Sequence, residues 1–333
     1  MHDLVTFGEA MVRLSPPNFR RLEQATTMEV CAGGAELNVA VAASRLGLKT
    51  AWVSRLPQNA LGRLTANAAR LHGVDVSHVV WAKDGRMGLY FLEFGANPRA
   101  SSVLYDRAGS SISLIKPGEV KWAEVFQGAR HFHTSGITPA LSASAAETTA
   151  EALRAAKAAG LSVSYDLNYR SKLWSPHDAR RVQEPLMEMV DILLTTEEDT
   201  KIVFGITADA GTVEKTYAEV AVKLADRFKF KAVAITLRKD LSVWRNNWTA
   251  IVYAGGRHYT DREYELELVD RIGAGDSFTA GFLVGWLGGD IQLGLRMGNA
   301  LAALKHSIPG DLNYATREEV ENLLKGAGTR VQR

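Results

Sequence analysis

The chain has a single cysteine, Cys31, among its 333 residues. An intramolecular disulfide, or a zinc centre built on several cysteines, is thereby excluded. Charge of one sign is also missing: 39 basic residues stand against 37 acidic ones, a formal +2. A protein held to nucleic acid by phosphate neutralisation shows a basic excess, so no nucleic-acid partner is expected. No apolar run approaches the roughly 20 residues that cross a bilayer. The opening MHDLVTFGEAMVRLSPP lacks the charged start and long apolar core of a signal peptide. A cytoplasmic chain with no membrane partner is the expectation. Disorder is excluded by a hydrophobic content of 46% at low net charge. With no internal repeat, low-complexity tract or Pro/Ser-rich linker, residues 1–333 read as one domain.

What is present is an alternation of strands and helices. Apolar runs at 4–7, 50–54, 130–134, 161–165, 192–194 and 232–236 read as strands. Amphipathic stretches at 35–46, 61–72, 144–159, 176–190, 212–228, 276–287, 291–307 and 317–325 read as helices, several closed by glycine. Strands spaced by helices of this length imply an α/β fold with a mostly parallel sheet covered on both faces. Two stretches break the pattern. Segment 11–31 has Pro16-Pro17 and no helical period, and 87–107 reads as a β-hairpin with Gly95-Ala96-Asn97-Pro98 at its turn. Together, about 12–32 and 86–108, they are expected to form a small sheet beside the main domain. A second hairpin over 241–253, with Asn246-Asn247 at its turn, adds an antiparallel edge. Trp244 and Trp248 flank that turn and read as sheet packing.

The strongest local signal is LVDRIGAGDSFTAGFL at 268–283. Gly273-Ala274-Gly275 opens a helix there, and small residues admit close approach of a ligand to N–H groups that lack intrahelical partners. With the helix dipole this is an anion site. Asp276 either caps the helix, worth about 1 kcal/mol, or stands beside a bound phosphoryl group as a general base. Gly33-Gly34 ahead of Ala35-Glu36-Leu37-Asn38 repeats the logic, against the alternative of an ordinary turn. Neither the Walker pattern nor the Gly-x-Gly-x-x-Gly dinucleotide fingerprint occurs, which argues against a P-loop NTPase and a nicotinamide dehydrogenase. His131 and His133 alternate on one strand face, but no third metal ligand is evident, so packing is the better reading.

These paired signatures, Gly33-Gly34 with Asn38 and GAGD near residue 275, resemble those of the ribokinase-type (phosphofructokinase-B) sugar kinases, essentially end to end. The resemblance implies a ribokinase-like three-layer α/β/α fold with a β-sheet lid. It implies ATP and Mg²⁺ as cofactors, with a monovalent cation as a further candidate. It also puts the anion hole on Gly273, Ala274 and Gly275 and the catalytic base on Asp276. Self-association through the exposed lid edges is expected.

Substrate class rests on other residues. The loops Ser135-Gly136-Ile137-Thr138 and Asp166-Leu167-Asn168-Tyr169-Arg170 follow strands, and ligands of open parallel sheets sit at those carboxyl ends. Tyr90, Tyr105 and Arg107 lie in the lid, with Tyr105 and Arg107 on one strand face. Two arginines at a sugar site suit a substrate carboxylate better than a neutral hexose; the plain alternative is surface pairing with Asp or Glu. The segments GLYF, LYDRAGS, SGITPAL and DLNYRSKLW are similar to those of 2-keto-3-deoxygluconate kinases, which implies substrate contacts at Gly33, Gly34, Asn38, Tyr90, Tyr105, Arg107, Ile137, Asp166, Asn168 and Arg170.

Departures from the family pattern qualify this. Arg13 stands near where many sugar kinases carry a sugar-binding aspartate, which weakens a ribokinase or adenosine kinase reading. The Asn-x-x-Glu motif tied to Mg²⁺ appears as Thr196-Glu197-Glu198-Asp199, making Asp199 the candidate metal ligand. The nucleotide-side Thr-x-Gly turn appears as Thr236-Leu237-Arg238. Thr196, Thr236, Arg238, Gly275, Asn299 and the loop 305–311 are the implied nucleotide contacts. A fructokinase-like or other ketose kinase, and a non-catalytic sugar or nucleotide sensor on the same scaffold, are the rival readings.

Overall fold

Strand β1 (Leu4–Phe7) has every residue buried, as a parallel strand covered on both faces must. The computed structural model describes residues 1–326. The chain continues through β2 (Met11–Ser15), β3 (Glu29–Gly33), helix α1 (Ala35–Arg45), β4 (Thr50–Val53), β5 (Arg55–Pro57), α2 (Ala60–Leu71), β6 (Val80–Ala82), β7 (Gly88–Glu93) and β8 (Ser102–Asp106). Next come α3 (Trp122–Val125), β9 (His131–Ser135), α4 (Ala143–Ala158), β10 (Ser162–Asp166), α5 (Pro176–Leu186), β11 (Ile192–Thr195), α6 (Glu197–Phe204) and α7 (Val213–Phe228). The last elements are β12 (Ala232–Ser242), β13 (Arg245–Ala254), β14 (Arg257–Thr260), β15 (Tyr264–Glu267), α8 (Ala274–Leu287), α9 (Ile291–His306) and α10 (Arg317–Leu324).

The main sheet has the order β14-β13-β12-β11-β10-β9-β1-β4, with β15 also on β13. Pairing from β4 through β12 is parallel, and β12-β13-β14 is antiparallel. Alternate side chains divide between two cores. Val5, Phe7, Phe132, Val163, Tyr165 and Leu193 belong to one, and Leu4, Ile192, Leu194, Ala232 and Ala234 to the other, with α8 and α9. This is the ribokinase-like α/β arrangement that the sequence implied. Registers Ser135↔Asp166 and Thr195↔Ile235 bring the carboxyl ends of β9, β10 and β11 to one rim, past which β12 runs on to Ser242.

The two irregular segments pair into one four-stranded sheet, β3-β2-β7-β8. Segment 11–31 is thus not wholly irregular, since it supplies β2 and most of β3. The distal hairpin differs from expectation: its turn is at Val243-Trp244, and Asn246-Asn247 lie within β13. Asn246, Trp248 and Ala250 are all buried. That period-two pattern requires the strand to have begun before Asn246. The helix expected over 176–190 ends at Leu186, one residue beyond Pro185, and a short 3-10 turn follows.

His131 Nε2 and His133 Nδ1 both lie 2.8 Å from Ser164 Oγ. Burial pushes both imidazoles down to about 3, so they serve as neutral hydrogen-bonding core residues. Helices α8 and α9 meet through glycines. A Cβ on Gly285 would stand 2.2 Å from Gly294 Cα, and one on Gly281 would stand 2.7 Å from Gly298 N. This close contact fixes the direction of α8, and therefore where its first turn points.

Candidate active site

Among the described residues, seven helices close their own N-termini with a side chain: Asn59, Ser142, Ser175, Thr196, Thr212, Asp290 and Thr316. Helices α1 and α8 do not. Their caps are Gly34 and Gly273, with no side-chain bond to the first turn. Both begin at the rim of strand ends, on a cleft of about 380 Å³. Their free N–H groups and positive dipole ends are thus presented to whatever anion occupies it.

Gly273 has φ +82°, and a Cβ there would lie 2.2 Å from the Asp311 carbonyl oxygen. Gly275 is exposed, and a Cβ there meets nothing within 4 Å; its amide opens directly onto the cleft. Asp276 is the third residue of α8 and does not cap it, which removes the capping alternative. Instead its Oδ2 accepts a 2.7 Å hydrogen bond from Asn38 Nδ2, while Asn38 Oδ1 accepts one from Gly34 N at 3.3 Å. Asn38 thereby ties the two uncapped helix starts together. Burial pushes the Asp276 carboxyl up to about 6, opposed by the Asn38 hydrogen bond and the charge of Arg170.

Three more carboxyls share this floor. Desolvation pushes Asp166 up to about 8, with the charges of Asp276 and Asp199 adding to the effect. Burial likewise takes Glu36 to about 7 and Asp199 to about 6. Glu36 Oε1 accepts from Ser135 Oγ at 2.6 Å. Asn168 Nδ2 donates to Asp166 Oδ2 at 3.0 Å. A site this rich in crowded carboxyls is suited to proton transfer and to a hard divalent cation.

Gly33, Gly34, Tyr90, Tyr105, Arg107, Ile137, Asn168 and Arg170 all line the cleft. A Cβ on Gly34 would stand 2.1 Å from the Glu9 carbonyl oxygen, so the glycine allows α1 to start against the end of β1. Arg107 is paired with the buried carboxylate of Glu9, and its guanidinium carbon sits 5.3 Å from the Tyr105 ring centre. Its buried Nε has no hydrogen-bond partner among the described residues. Arg107 thus has the carboxylate partner of the plain alternative, buried rather than on the surface, whereas Arg170 has none within ion-pair distance among the described residues. Glu9 was missed by the sequence reading, although the strand-tip rule points to it, since Gly8-Glu9 directly follows β1.

On the other side, Thr196, Thr236 and Arg238 reach the cleft, and so does Arg271, two residues before Gly273 and absent from the expected contacts. Both arginines lean on Asp240, at 3.3 and 3.0 Å. Asn299 is a correction: it is fully buried away from the cleft, with its Nδ2 donating to Asp261 at 3.1 Å. The loop 305–311 divides. His306 and Asp311 line the cleft, whereas Lys305 points into the core. Asp311 accepts from Tyr90 and Arg13, on the side of the four-stranded sheet.

Residues 1–315 match the family model described as pfkB family carbohydrate kinase. The chain belongs to that family. Among its relatives is the 2-dehydro-3-deoxygalactonokinase of Haloferax volcanii, 43% identical over 332 residues and 99% of either chain. The 2-dehydro-3-deoxygluconokinase of Bacillus subtilis is 30% identical over 98% of this chain and 97% of its own. The crystal structure of 2-dehydro-3-deoxygluconokinase from Thermotoga maritima superposes with a TM-score of 0.95 at 42% identity, covering 98% of this chain and 99% of that one. This pfkB-family protein is an ATP-dependent carbohydrate kinase.

The open space at Gly275 generates a test. Gly275→Ala in this kinase should hold or raise the melting temperature, because alanine replaces glycine in a helix at a gain of about 0.5–1 kcal/mol. The same methyl group projects into the open space at the start of α8, so if a transferring phosphate is bound there turnover should fall by about 10²-fold or more. Unfolding and initial-rate measurements read the two effects separately; retained turnover would remove the site from that amide.

Proposed function

We propose that this kinase transfers the γ-phosphoryl group of ATP to the terminal hydroxyl of 2-keto-3-deoxygluconate, with Asp276 as base and the amides of Gly273–Gly275 as anion hole. The observation that carries the acid-sugar reading is the pair of guanidiniums, Arg107 and Arg170, on the wall beside Tyr90 and Tyr105. A planar fork with an unused buried N–H is suited to a carboxylate oxygen. Relatives named for 2-dehydro-3-deoxy sugar acids support the same class.

In this mechanism the sugar carboxylate docks on the arginines and the far hydroxyl reaches Asp276. As the hydroxyl oxygen bonds to the γ-phosphorus, its proton passes to Asp276 Oδ1 or Oδ2, and the bond to the bridging oxygen of ADP breaks. The first-turn amides of α8 take up charge on the transferring oxygens. Asn38 holds the Asp276 carboxylate toward the cleft. Arg238 and Arg271 stand on the side assigned to the nucleotide phosphates. Closure of the lid over the sugar excludes water, since hydrolysis is the competing reaction.

The donor set fits Mg²⁺. Among the described residues no group of three or more His, Cys, Asp or Glu side chains is placed to enclose a metal. Mg²⁺ would be held instead through one or two carboxylates, and the neighbouring Asp199 and Asp166 would supply that number. When bound there it neutralises phosphate charge.

Initial rates of ADP release over a panel of sugars and sugar acids test the reading. 2-Keto-3-deoxygluconate, or its galactonate-configured analogue, should be turned over far faster than fructose. Arg107→Ala should raise KM for the acid while leaving fructose nearly unchanged. Preference for a neutral ketose overturns the acid assignment, and no ADP release with any acceptor favours a sensor.

The lid also supports self-association. Leu14 pairs across the sheet with Val30 and Phe91, and Phe91 with Leu104. This apolar row crosses all four strands on the face opposite Tyr90 and Tyr105. Val30 is 53% and Leu104 58% exposed, and a second copy of the lid matches that surface. Light scattering should read a dimer that Leu104→Glu dissociates, and a monomeric wild type refutes it.

A further inference from the structure

A monovalent cation bound near an anion hole needs a cradle of oxygen ligands, mostly carbonyls, with negative charge beside it. One such cradle lies beneath the first turn of α8. The carbonyl oxygens of Asp270, three residues before Gly273, and of Ile308, in the loop after α9, face the same point. It is already filled. Lys305 Nζ donates to the Ile308 carbonyl at 2.8 Å and to the Asp270 carbonyl at 3.3 Å. Lys305 is wholly buried, and no carboxylate lies within ion-pair distance of it among the described residues. A free monovalent ion does not fit here.

The surroundings explain why a cation belongs at this point. The buried carboxylate of Asp270 accepts from Ile272 N at 3.0 Å and Gly310 N at 2.9 Å, and it pairs with Arg13 at 2.7 Å. The buried Asp311 pairs with the same guanidinium at 2.9 Å and accepts from Tyr90. Two acids thus share one arginine, and Lys305 supplies the second positive charge. His306 adds none, since burial holds it down at about 4, and burial pushes Tyr90 up, so both are neutral. Burial draws the Lys305 ammonium down, while the charges of Asp270, Asp311 and Asp276 draw it back up.

We infer that Lys305 is a tethered monovalent cation: its ammonium occupies the carbonyl cradle under the anion hole, locks the loop before α8 to the loop after α9, and frees phosphoryl transfer from any requirement for a soluble monovalent ion. The catalytic part of this rests on the anion hole assigned under Proposed function; the occupancy of the cradle does not. Lys305 is a positioning residue. Without it, two acids face one arginine directly below the site where phosphate charge develops.

The test uses the full-length kinase in buffers whose only monovalent cation is K⁺, NH₄⁺ or tetramethylammonium. Wild-type turnover and melting temperature should be the same in all three. Lys305→Ala should lose about tenfold or more in kcat with a smaller change in KM, and K⁺ or NH₄⁺, but not tetramethylammonium, should restore both kcat and melting temperature. Lys305→Met, which fills the space with an apolar chain, should show the loss without the rescue. A wild type that needs K⁺ overturns the inference. So does a Lys305→Ala protein with unchanged kcat, or one whose melting temperature ignores the small cations. If sugar acids prove not to be the substrate, the ion dependence of the melting temperature still decides the question.

Discussion

The hydrogen bond from Asn38 to Asp276 is the contact on which the rest of the site depends. It joins the two long helices that, among the described residues, carry no side-chain cap at their N-termini. A capped helix spends its first amides on itself, whereas these two leave them for a ligand. The glycines do the complementary work. Gly34 lets α1 begin against β1, Gly273 turns the chain in the left-handed region against Asp311, and the glycines between α8 and α9 aim α8 at the strand tips. Two uncapped helix starts and a carboxylate then face one cleft with little freedom to move, which is the preorganisation that the proposed phosphoryl transfer would need.

That arrangement has a cost in stability. Asp166, Asp276, Asp199 and Glu36 are all raised by burial, so the native state binds protons more tightly than the unfolded chain does. With folded values above the unfolded ones, stability declines as pH rises from about 4 toward 8 and these groups ionise. The proposed divalent cation would offset that repulsion, together with the arginines, when the site is charged. Arg13 and Lys305 do the same one layer below, so the start of α8 rests on a nearly neutral platform rather than on unpaired acids.

Much of this was legible in the sequence because the signals were local. Gly-Ala-Gly before an apolar helix, paired glycines before another, and strands broken by turns each declare themselves within a few residues. The parallel sheet and the lid follow from them. Other features depend on contacts between distant parts of the chain. Arg13 meets Asp311 across 298 positions, and nothing around residue 13 announces a buried guanidinium. Glu9 and Arg107 are separated by 98 positions, so the sequence offers no local sign of which carboxylate the arginine pairs with. Asn299 sat on a helix implied to face the nucleotide, but its side chain turns inward to Asp261. The hairpin turn was misjudged because Asn-Asn is good turn chemistry, and the inward alternation of Asn246 and Trp248 overrode it.

The central claim, that Asp276 takes the acceptor proton at an anion hole, is tested most directly by the pH profile of kcat/KM for the wild type and Asp276→Asn. Burial holds the Asp276 carboxyl near 6, so its ionised fraction falls about tenfold per unit below that value. The wild-type profile should therefore bend down below about pH 6, while Asp276→Asn should be about 10²–10⁴-fold slower and lose that bend. An asparagine variant with near-normal turnover and the same acid limb would contradict the account.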